Sequence, residues 1–570
     1  MNKPVIEFKN FTYQYMAQAE PTLYNIDFTV NKGEKVLILG PSGSGKSTLI
    51  NCINGLIPFT YPGEMNGSVK IMGHETKNES LFKISKMVGT VLQDPDSQFI
   101  GLTVGEDIAF QLENDCVSQD KMIEKVKKIS KIVDINNFLD SSPQELSGGQ
   151  KQRVTLGGVM VDDAGILIFD EPLANLDPAA GKKAIELIDD IHKRTDTTII
   201  IVEHRLEDVL HCDVDRIIVV NEGRIIADTT PGELLSSNTL SDCGIREPLY
   251  ISALKYAGCR ITPTMKPEHI ETINVDKCRE KLKSWYESSE KEKPVSKSET
   301  ILELKDIQFG YVPGKEILHH ISFKINKGEM VSIVGKNGAG KSTMSKLICG
   351  FYKPTSGSIL FKGRDISSDT IKERAEKIGY VMQNPNQMIS KSMIFDEVAM
   401  GLRVRGINEN EVQKRVYDTL KICGLYEFRK WPVSALSFGQ KKRVTIASIL
   451  VLNPEIIILD EPTAGQDFRH YTEIMEFLLK LNKKGVTIIM ITHDMHLMLE
   501  YTRKAIVIAD GCKIAEDTAA NVLTDADIIR KASLKETSLY GLAKKIGIDD
   551  PRDFVKRFIE YERGKMQNDK

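Results

Sequence analysis

The sequence predicts an α/β protein that carries two copies of one doubly wound domain. A glycine-rich segment of nine residues, Gly-x4-Gly-Lys-Ser-Thr, occurs at 40–48 and again at 335–343. Continuous apolar runs that end in two acids recur in both halves, at 166–169 and at 456–459. Such runs are typical of parallel strands that are buried on both faces, and the segments between them favour helices. The fold class is therefore α/β, with two tandem phosphate-loop domains.

The chain has 570 residues, 41% of them hydrophobic and 27% charged, and a formal net charge of −3. This composition is typical of a globular protein with several domains, and it gives no global basic field for nucleic acid. The nine cysteines form no C-x-x-C pair, which disfavours disulfide frameworks, zinc sites and iron–sulfur clusters. The beginning resembles no signal peptide, and no apolar run approaches the ~20 residues of a membrane span. We therefore expect a reducing cytosolic compartment and membrane contact only through partners.

The duplication extends over five motifs, because each motif returns about 290 residues later in the same order. We expect a first domain at 4–235, an extension with a linker at 236–300, a second domain at 301–515 and a second extension at 516–570. The extensions are also predicted to be related, since 246–254 resembles 535–543. Two unrelated amphipathic helices remain the alternative for that last pair. A flexible linker is predicted at 290–299, which is charged and contains proline and serine.

The glycine-rich segments are predicted phosphate loops, because each follows an apolar strand and precedes a helix start. Glycines let backbone N–H groups approach a phosphate, and the helix N-terminus favours an anion. A lysine can reach the phosphates and a serine can hold Mg²⁺. A fortuitous glycine–serine turn is the alternative, and the second copy argues against it. The predicted nucleotide-binding residues are Gly40, Ser42, Gly43, Gly45, Lys46, Ser47 and Thr48, then Gly335, Asn337, Gly338, Gly340, Lys341, Ser342 and Thr343.

The apolar runs that end in Asp-Glu are predicted to carry the hydrolytic chemistry. Asp170 and Asp460 end strands beside the phosphate loops, where a carboxylate can hold Mg²⁺. Glu171 and Glu461 follow directly and can orient or deprotonate water. A surface Asp-Glu turn is the alternative, which the upstream phosphate loops disfavour.

A second phosphate-binding surface is predicted at Leu-Ser-Gly-Gly-Gln, residues 146–150, just before a helix start. Its copy at 436–440 reads Leu-Ser-Phe-Gly-Gln, so that Phe438 replaces the middle glycine. The serine and the second glycine remain in both copies, and the predicted contacts are made by Ser147, Gly149, Ser437 and Gly439.

The order of phosphate loop, glutamine, Leu-Ser-Gly-Gly-Gln, Asp-Glu strand and histidine resembles the ATP-binding-cassette (ABC) ATPase family over both copies. The resemblance implies, in each copy, a parallel-sheet core, an antiparallel β subdomain, a helical subdomain and a helical C-terminal extension. It implies ATP and Mg²⁺ as cofactors, with Gln93 and Gln383 near the metal and His204 and His493 at the γ-phosphate.

The resemblance also implies that two cassettes close head to tail with ATP between them. One site would combine Lys46, Ser47, Gln93, Asp170, Glu171 and His204 with Ser437 and Gly439. The other would combine Lys341, Ser342, Gln383, Asp460, Glu461 and His493 with Ser147 and Gly149. Tyr13 and Tyr311 match the aromatic residue that stacks on adenine, with packing in a strand as the alternative.

Asp177 and Asp467 match the acidic loop that follows Asp-Glu in the family, where the second copy departs at Gln466. Both glutamates are present, so we expect two hydrolysing sites unless the changes at Phe438 or Gln466 impair one of them.

The glutamine segments, Gln-Asp-Pro-Asp at 93–96 and Gln-Asn-Pro-Asn at 383–386, resemble those of energy-coupling-factor importers. The fused pair, with Glu-His-Arg-Leu-Glu at 203–207, resembles the subgroup for thiamine-precursor and similar vitamin uptake. This resemblance implies an ATPase on the cytoplasmic face of the membrane, a transmembrane coupling protein and a small membrane substrate-binding protein as partners, and vitamins or metals as cargo.

Three alternatives stay open. One is a twin-cassette sugar importer subunit, and the second is a ribosome-associated translation or resistance factor, in which a long basic helical linker is usual. The third is a DNA-repair ATPase, which would need coiled-coil or zinc insertions.

Overall fold

A computed structural model describes residues 3–174, 176–289, 298–464 and 466–568. Most of the predicted flexible linker, 290–297, lies outside the described residues. The chain divides into two compact units, Met1–Leu282 and Lys283–Lys570, and the boundary falls inside a helix. Each unit is described by itself below.

The first unit contains two sheets. Its strands are β1 (Pro4–Tyr15), β2 (Leu23–Asn31), β3 (Lys35–Leu39), β4 (Gly63–Ile71), β5 (His74–Glu75), β6 (Val88–Val91), β7 (Ile166–Asp170), β8 (Thr198–Val202), β9 (Arg216–Asn221) and β10 (Arg224–Thr229). A four-stranded sheet has the order β2-β1-β4-β5, and a six-stranded sheet has the order β10-β9-β3-β8-β7-β6. The six-stranded sheet is parallel except for the edge strand β10.

The helices of the first unit lie between these strands and after them. They are α1 (Lys46–Ile53), α2 (Leu56–Phe59), α3 (Leu81–Ser85), α4 (Val104–Asn114), α5 (Gln119–Ile132), α6 (Gly148–Met160), α7 (Pro178–Thr195), α8 (Leu206–Val209), α9 (Pro231–Leu235), α10 (Thr239–Asp242), α11 (Leu249–Tyr256) and α12 (Arg279–Ser288), the last of which continues into the second unit.

The second unit repeats both sheets. Its strands are β11 (Thr300–Phe309), β12 (Leu318–Asn326), β13 (Met330–Val334), β14 (Ser356–Phe361), β15 (Arg364–Asp365), β16 (Ile378–Val381), β17 (Ile456–Asp460), β18 (Thr487–Ile491), β19 (Lys504–Ala509) and β20 (Cys512–Asp517). The sheets have the orders β12-β11-β14-β15 and β16-β17-β18-β13-β19-β20.

The helices of the second unit follow the same plan, with a longer C-terminal end. They are α13 (Lys341–Ile348), α14 (Ile371–Ala375), α15 (Ile394–Val404), α16 (Glu409–Ile422), α17 (Phe438–Leu450), α18 (Phe468–Lys483), α19 (Met495–Tyr501), α20 (Ala519–Val522), α21 (Ala526–Ala532), α22 (Ser538–Ile546) and α23 (Pro551–Asn568). No helix in the described residues is both long and apolar enough to cross a membrane.

The parallel sheets form because their strands are apolar throughout. Every residue of β3, β8, β13 and β18 is buried, as expected for strands with helices on both faces. The parallel order brings the carboxyl ends of β7 and β8 to the same edge as the loop that follows β3. The predicted α/β core, antiparallel β subdomain, helical subdomain and helical extension are therefore confirmed in both copies.

The antiparallel sheets alternate buried and exposed residues, and β1 and β11 show the same burial pattern from residues 4 and 300 onward. In this register residue 13 corresponds to residue 309, and residue 15 corresponds to residue 311. This correspondence shows which tyrosine of the first copy matches Tyr311, and so which one lies near the first phosphate loop.

Tyr250 and Tyr540 stand at matching positions of the two extensions but make different contacts. The buried hydroxyl of Tyr250 in α11 donates to the carbonyl oxygens of Pro267 and Glu268. Tyr540 in α22 instead lies under the ammonium of Lys544, 3.9 Å from the ring centroid. In the second unit α23 also packs on Trp285, whose ring centroid lies 5.4 Å from that of Tyr561.

Candidate functional site

Each phosphate loop fits tightly against the end of a neighbouring strand. A Cβ atom at Gly40 would lie 2.1 Å from the carbonyl oxygen of Val220, and one at Gly335 would lie 1.9 Å from that of Ile508. Only glycine can occupy either position without moving a strand of the parallel sheet. The first residue of each loop is therefore held against the end of a neighbouring strand.

The lysine of each loop turns back over the loop itself. The ammonium of Lys46 donates to the carbonyl oxygens of Gly40 and Pro41, both at 2.8 Å. Lys341 donates likewise to Gly335 at 2.7 Å and to Lys336 at 2.9 Å. Both ammonium groups therefore lie inside the curve of the loop, where an incoming phosphate would meet them.

The polar residues at the loop tips are solvent-exposed. Ser42 and Ser47 are exposed in the first loop, and Asn337 and Ser342 are exposed in the second. Helix α1 begins at Lys46 and helix α13 begins at Lys341, so both serines that follow lie in a first helical turn. Their hydroxyl groups are accessible to a phosphate or a cation at a helix N-terminus.

The carboxylate of Glu171 is held by two side chains. Gln93 Nε2 donates to Glu171 Oε2 at 2.7 Å, and His204 Nε2 lies 2.8 Å from Glu171 Oε1. Its backbone has a positive φ of 49°, and its N–H donates to the carbonyl oxygen of Val202. A strained non-glycine residue at a strand end is typical of a functional position.

The second copy repeats this arrangement. Gln383 Nε2 donates to Glu461 Oε2 at 3.0 Å, and His493 Nδ1 lies 2.9 Å from Glu461 Oε1. The φ of Glu461 is 45°. The structure thus brings together a predicted glutamine, glutamate and histidine in each copy.

The two acids of the first copy have opposite pKa shifts. Burial, with the charge of Glu171 beside it, raises the pKa of Asp170 to about 6. Burial would also raise the pKa of Glu171, but hydrogen bonding to His204 and the charges of His204 and Lys46 hold it below its ordinary value. Glu171 is therefore ionised at neutral pH and able to accept a proton.

The second copy carries two groups beside its acids that sequence reasoning missed. The hydroxyl of Tyr380 donates to Asp460 Oδ2 at 2.9 Å. Lys442 is buried next to the same acids, and burial lowers its pKa to about 8. Threonine and glutamine stand at the matching positions of the first copy, Thr90 and Gln152. A residue-by-residue comparison of the two copies would have shown that these two positions differ.

The Leu-Ser-Gly-Gly-Gln segments are capping boxes at helix N-termini. Ser147 caps α6, and its backbone N–H donates to Gln150 Oε1 at 2.9 Å. Ser437 caps α17 and accepts from the backbone N–H of Gln440. Phe438 is 43% exposed and does not fill the core. The replaced glycine therefore leaves the helix start intact, as the sequence suggests.

The prediction for Tyr13 is wrong. Tyr13 has no exposed surface, and its hydroxyl donates to the carbonyl oxygen of Tyr61, so its ring cannot stack on a ligand. Tyr15 takes the place that Tyr311 takes in the second copy, since each hydroxyl lies 3.1 Å from the hydroxyl of the loop threonine, Thr48 or Thr343. The error arises because Tyr13 and Tyr15 lie two residues apart, on the same face of β1, so that alternation along the strand does not tell them apart. The matching burial patterns of β1 and β11 pair Tyr15 with Tyr311.

The acidic loop residues after each glutamate cap the next helix. Asp177 accepts from the backbone N–H of Ala180 at the start of α7, and Asp467 accepts from that of His470 at the start of α18. Within its own unit, each aspartate therefore acts as the N-cap of the helix that follows it.

Two family models match the chain. A model described as "ABC transporter" matches residues 23–174 and 318–464, which include both phosphate loops and both Asp-Glu strands. A model described as "ATP-binding cassette cobalt transporter" matches residues 237–309, which lie between the two ABC transporter matches and include strand β11.

Curated relatives align over almost the whole chain. A putative ABC transporter ATP-binding protein of Clostridium perfringens is 67% identical, over 99% of both chains. One of Enterococcus faecalis is 57% identical, also over 99% of both, and one of Photobacterium profundum is 55% identical over 98% of this chain and 99% of its own.

Solved structures match single cassettes. The cbiO1 structure from Clostridium perfringens, described as part of the ABC transporter complex cbiONQ, has 37% identity and a TM-score of 0.38, covering 41% of this chain and 94% of its own. With both cassette motifs matched by the family model and full-length relatives far above 30% identity, the chain belongs to the ABC transporter ATP-binding family and is an ATPase with two cassettes in one polypeptide.

Proposed function

We propose that the chain is the ATP-hydrolysing subunit of an importer of the energy-coupling-factor type. The observation that carries this proposal is the match of residues 237–309 to a model described as a cobalt transporter cassette. The Gln-Asp-Pro-Asp and Gln-Asn-Pro-Asn segments support the same transporter type. A metal ion such as cobalt is the favoured cargo, and vitamins or thiamine precursors are the second class.

The proposed partners are a transmembrane coupling protein and a small membrane substrate-binding protein, which would hold the ATPase at the cytoplasmic face. Exposed apolar side chains beside the first glutamine segment support a protein partner there, because Ile100 is 63% and Leu102 is 83% exposed. In this proposal the chain binds no nucleic acid, in line with its net charge of −3.

The residues at each phosphate loop fit Mg²⁺ as a partner of ATP. Ser47, Gln93 and Asp170 in one copy, and Ser342, Gln383 and Asp460 in the other, supply the oxygen ligands that Mg²⁺ prefers. The raised pKa of Asp170 fits a buried acid that a cation would stabilise in its charged form. Bound there, the ion would neutralise charge on the phosphates of ATP.

In the proposed reaction Glu171 and Glu461 accept the proton of the attacking water. Their low pKa keeps them ionised, and the glutamine and histidine bonded to each carboxylate fix its direction. Lys46 and Lys341 bind the phosphates, and the exposed serines in the first turns of α1 and α13 contribute hydroxyl groups to the same sites. Tyr15 and Tyr311 are proposed to meet the adenine, with Tyr15 in place of Tyr13.

The proposal includes head-to-tail closure of the two cassettes, as the family resemblance implies. Ser437 and Gly439 would then complete the site of Lys46, and Ser147 and Gly149 would complete the site of Lys341. Closure on ATP and opening after hydrolysis would drive the membrane partner.

Purification of the tagged full chain from detergent-extracted membranes tests the transport role. We expect two integral membrane proteins to accompany it, and radioactive cobalt uptake to be lost when both Glu171 and Glu461 are replaced by Gln. Cosedimentation with ribosomes, or a sugar-transport permease as the bound partner, would contradict the proposal in favour of the alternatives named above.

A further inference from the structure

Lys442 lies in the first turns of α17, five residues after the capping serine Ser437. Its side chain is buried, with 2% of the residue exposed. The ammonium donates to the carbonyl oxygen of Gln383 at 2.6 Å, to that of Met382 at 3.2 Å and to that of Glu461 at 3.5 Å. One charged group thus joins the ends of the two neighbouring strands β16 and β17.

These carbonyls belong to the residues that carry the hydrolytic side chains. Gln383 and Glu461 are also bonded to each other, through the amide and the carboxylate, at 3.0 Å. Lys442 in α17, Gln383 and Glu461 are therefore each hydrogen-bonded to the other two. Hydrogen bonds from a buried charged donor are stronger than neutral ones and keep their geometry better.

The first cassette lacks this arrangement although its motifs are otherwise alike. Gln152 stands at the matching position of α6, and its neutral amide donates to the carbonyl oxygen of Pro172, one residue beyond the glutamate. Among the described contacts, that amide does not reach the carbonyls of Leu92 or Gln93, where the first glutamine segment begins.

The burial of a lysine here has a physical reason in its neighbours. Asp460 and Glu461 are close enough to favour its charged form, and their negative charges oppose the effect of burial. A buried ammonium without such partners would be strongly unfavourable. The second copy thus holds a buried ammonium group at the position where the first copy has the neutral amide of Gln152.

We propose that Lys442 is a positioning residue of the second cassette alone. Its ammonium links Met382 and Gln383, at the start of the glutamine segment (residues 382–387), to Glu461 at the end of β17. The pair of Gln383 and Glu461 is thereby held in place in the second site. In the first site the glutamine segment is held to α6 by the ion pair of Lys151 and Asp96, at 2.6 Å, and among the described contacts no ammonium joins that segment to the carbonyl oxygen of Glu171. The two sites consequently differ in how far the glutamine segment can move away from the glutamate. This inference rests on the ATPase activity of the family and not on the identity of the transported cargo.

Amide hydrogen exchange in the purified full chain tests the proposal without requiring turnover. In Lys442→Gln and in Lys442→Met we expect exchange of residues 382–387 to rise about fivefold or more, while residues 92–97 and the strand β18 keep their rates. Gln152→Met is the matched control, and it should leave both glutamine segments unchanged. Unchanged exchange at 382–387 in both lysine variants overturns the proposal, and so does a rise spread evenly over the second unit.

Kinetics in a Glu171→Gln background give an independent readout of the second site. Since Lys442 donates to the backbone carbonyls of Gln383 and Glu461 and, among the described contacts, to no nucleotide-binding side chain, we expect kcat to fall about tenfold in Lys442→Gln with KM for ATP within about twofold. A rise in KM at constant kcat would contradict a positioning role. If the background variant itself is inactive, the exchange experiment alone decides the proposal.

Discussion

At the scale of single residues, each copy holds its glutamate between an amide and an imidazole. Both carboxylates are nearly enclosed by protein, yet hydrogen bonding keeps their pKa low. The surrounding groups are not the same, because Tyr380 and Lys442 accompany only the second pair of acids. The copies are therefore alike in their glutamine, glutamate and histidine side chains and different in the groups around them.

Replacing Glu171 or Glu461 by Gln separately tests whether both sites hydrolyse ATP. Each change keeps the shape and removes the proton acceptor, so the affected site should lose about 100-fold or more of its activity. Steady-state phosphate release by the purified chain measures this loss. A single variant with full activity would mean that its site is idle or compensated.

The two neighbouring tyrosines of β1 should separate packing from nucleotide binding. Tyr15→Ala is expected to weaken ATP binding about tenfold, because stacking with an aromatic ring contributes about 1–2 kcal/mol. Tyr13→Phe removes only the hydrogen bond to Tyr61, and it should lower the free energy of unfolding by about 1 kcal/mol. Equilibrium binding of a fluorescent ATP analogue and urea unfolding give the two values.

The reverse pattern, with Tyr13→Phe impaired in binding and Tyr15→Ala unimpaired, would contradict the assignment of Tyr15. The glutamine, glutamate and histidine that the structure brings together in each copy were predictable from their motifs, because short motifs fix spacing. Tyr15 was not, since the distance from the tyrosine to the phosphate loop differs by one residue between the copies. Only the burial patterns of β1 and β11 show that Tyr15, and not Tyr13, matches Tyr311.

At the scale of elements, the phosphate-loop helix of the second copy has a buried cap. The guanidinium of Arg374 donates to the carbonyl oxygens of Leu347 and Ile348 at the end of α13. Ile84 occupies the matching buried position in the first unit, where it packs beside Gly55. Arginine at a helix C-terminus satisfies free carbonyls and complements the helix dipole.

Arg374→Met should therefore destabilise the second unit. The change removes the arginine donor from Ile348 and from Leu347, whose carbonyl oxygen still accepts from the backbone N–H of Gly350, at a cost of about 2 kcal/mol in the free energy of unfolding. Urea unfolding of the full chain measures it. Arg364→Met is the control and should cost under about 1 kcal/mol, because Arg364 is exposed and its partner Asp369 keeps a second cation, Lys377. Equal costs for both variants would contradict the capping role.

Element types were largely predictable, because apolar runs such as 198–202 and 487–491 fit only buried strands beside helical segments. Strand order within the sheets was not predictable from those runs alone. It depends on long-range pairing, such as β3 between β8 and β9, which local sequence does not encode. Buried polar residues such as Arg374 and Lys442 were missed because a charged residue in a helix ordinarily indicates a solvated face.

At the scale of the whole molecule, the chain consists of two units with the same topology and one set of nucleotide-binding motifs each. The duplication was predictable because five motifs return in the same order. The transport role was predictable only by resemblance, since the cassette motifs carry no information about a cargo. The division of the chain inside α12 was not predicted, because its aromatic residues pack on α23, far away in sequence.

Removal of one phosphate-loop lysine should affect one nucleotide site. Lys46→Ala takes away the ammonium inside the first loop and leaves every residue of the second loop in place. We expect one bound nucleotide per chain in this variant, and one in Lys341→Ala, by equilibrium dialysis with radiolabelled ATP. Loss of both nucleotides from either variant would show tighter coupling than independent loops allow.

The most direct test of the twin-site account is the number of ATP molecules bound by the variant in which both Glu171 and Glu461 are replaced by Gln. This variant keeps both loops and cannot complete hydrolysis, so bound ATP should accumulate. The account predicts two ATP molecules per chain at saturation in the presence of Mg²⁺. A saturating value of one would contradict it.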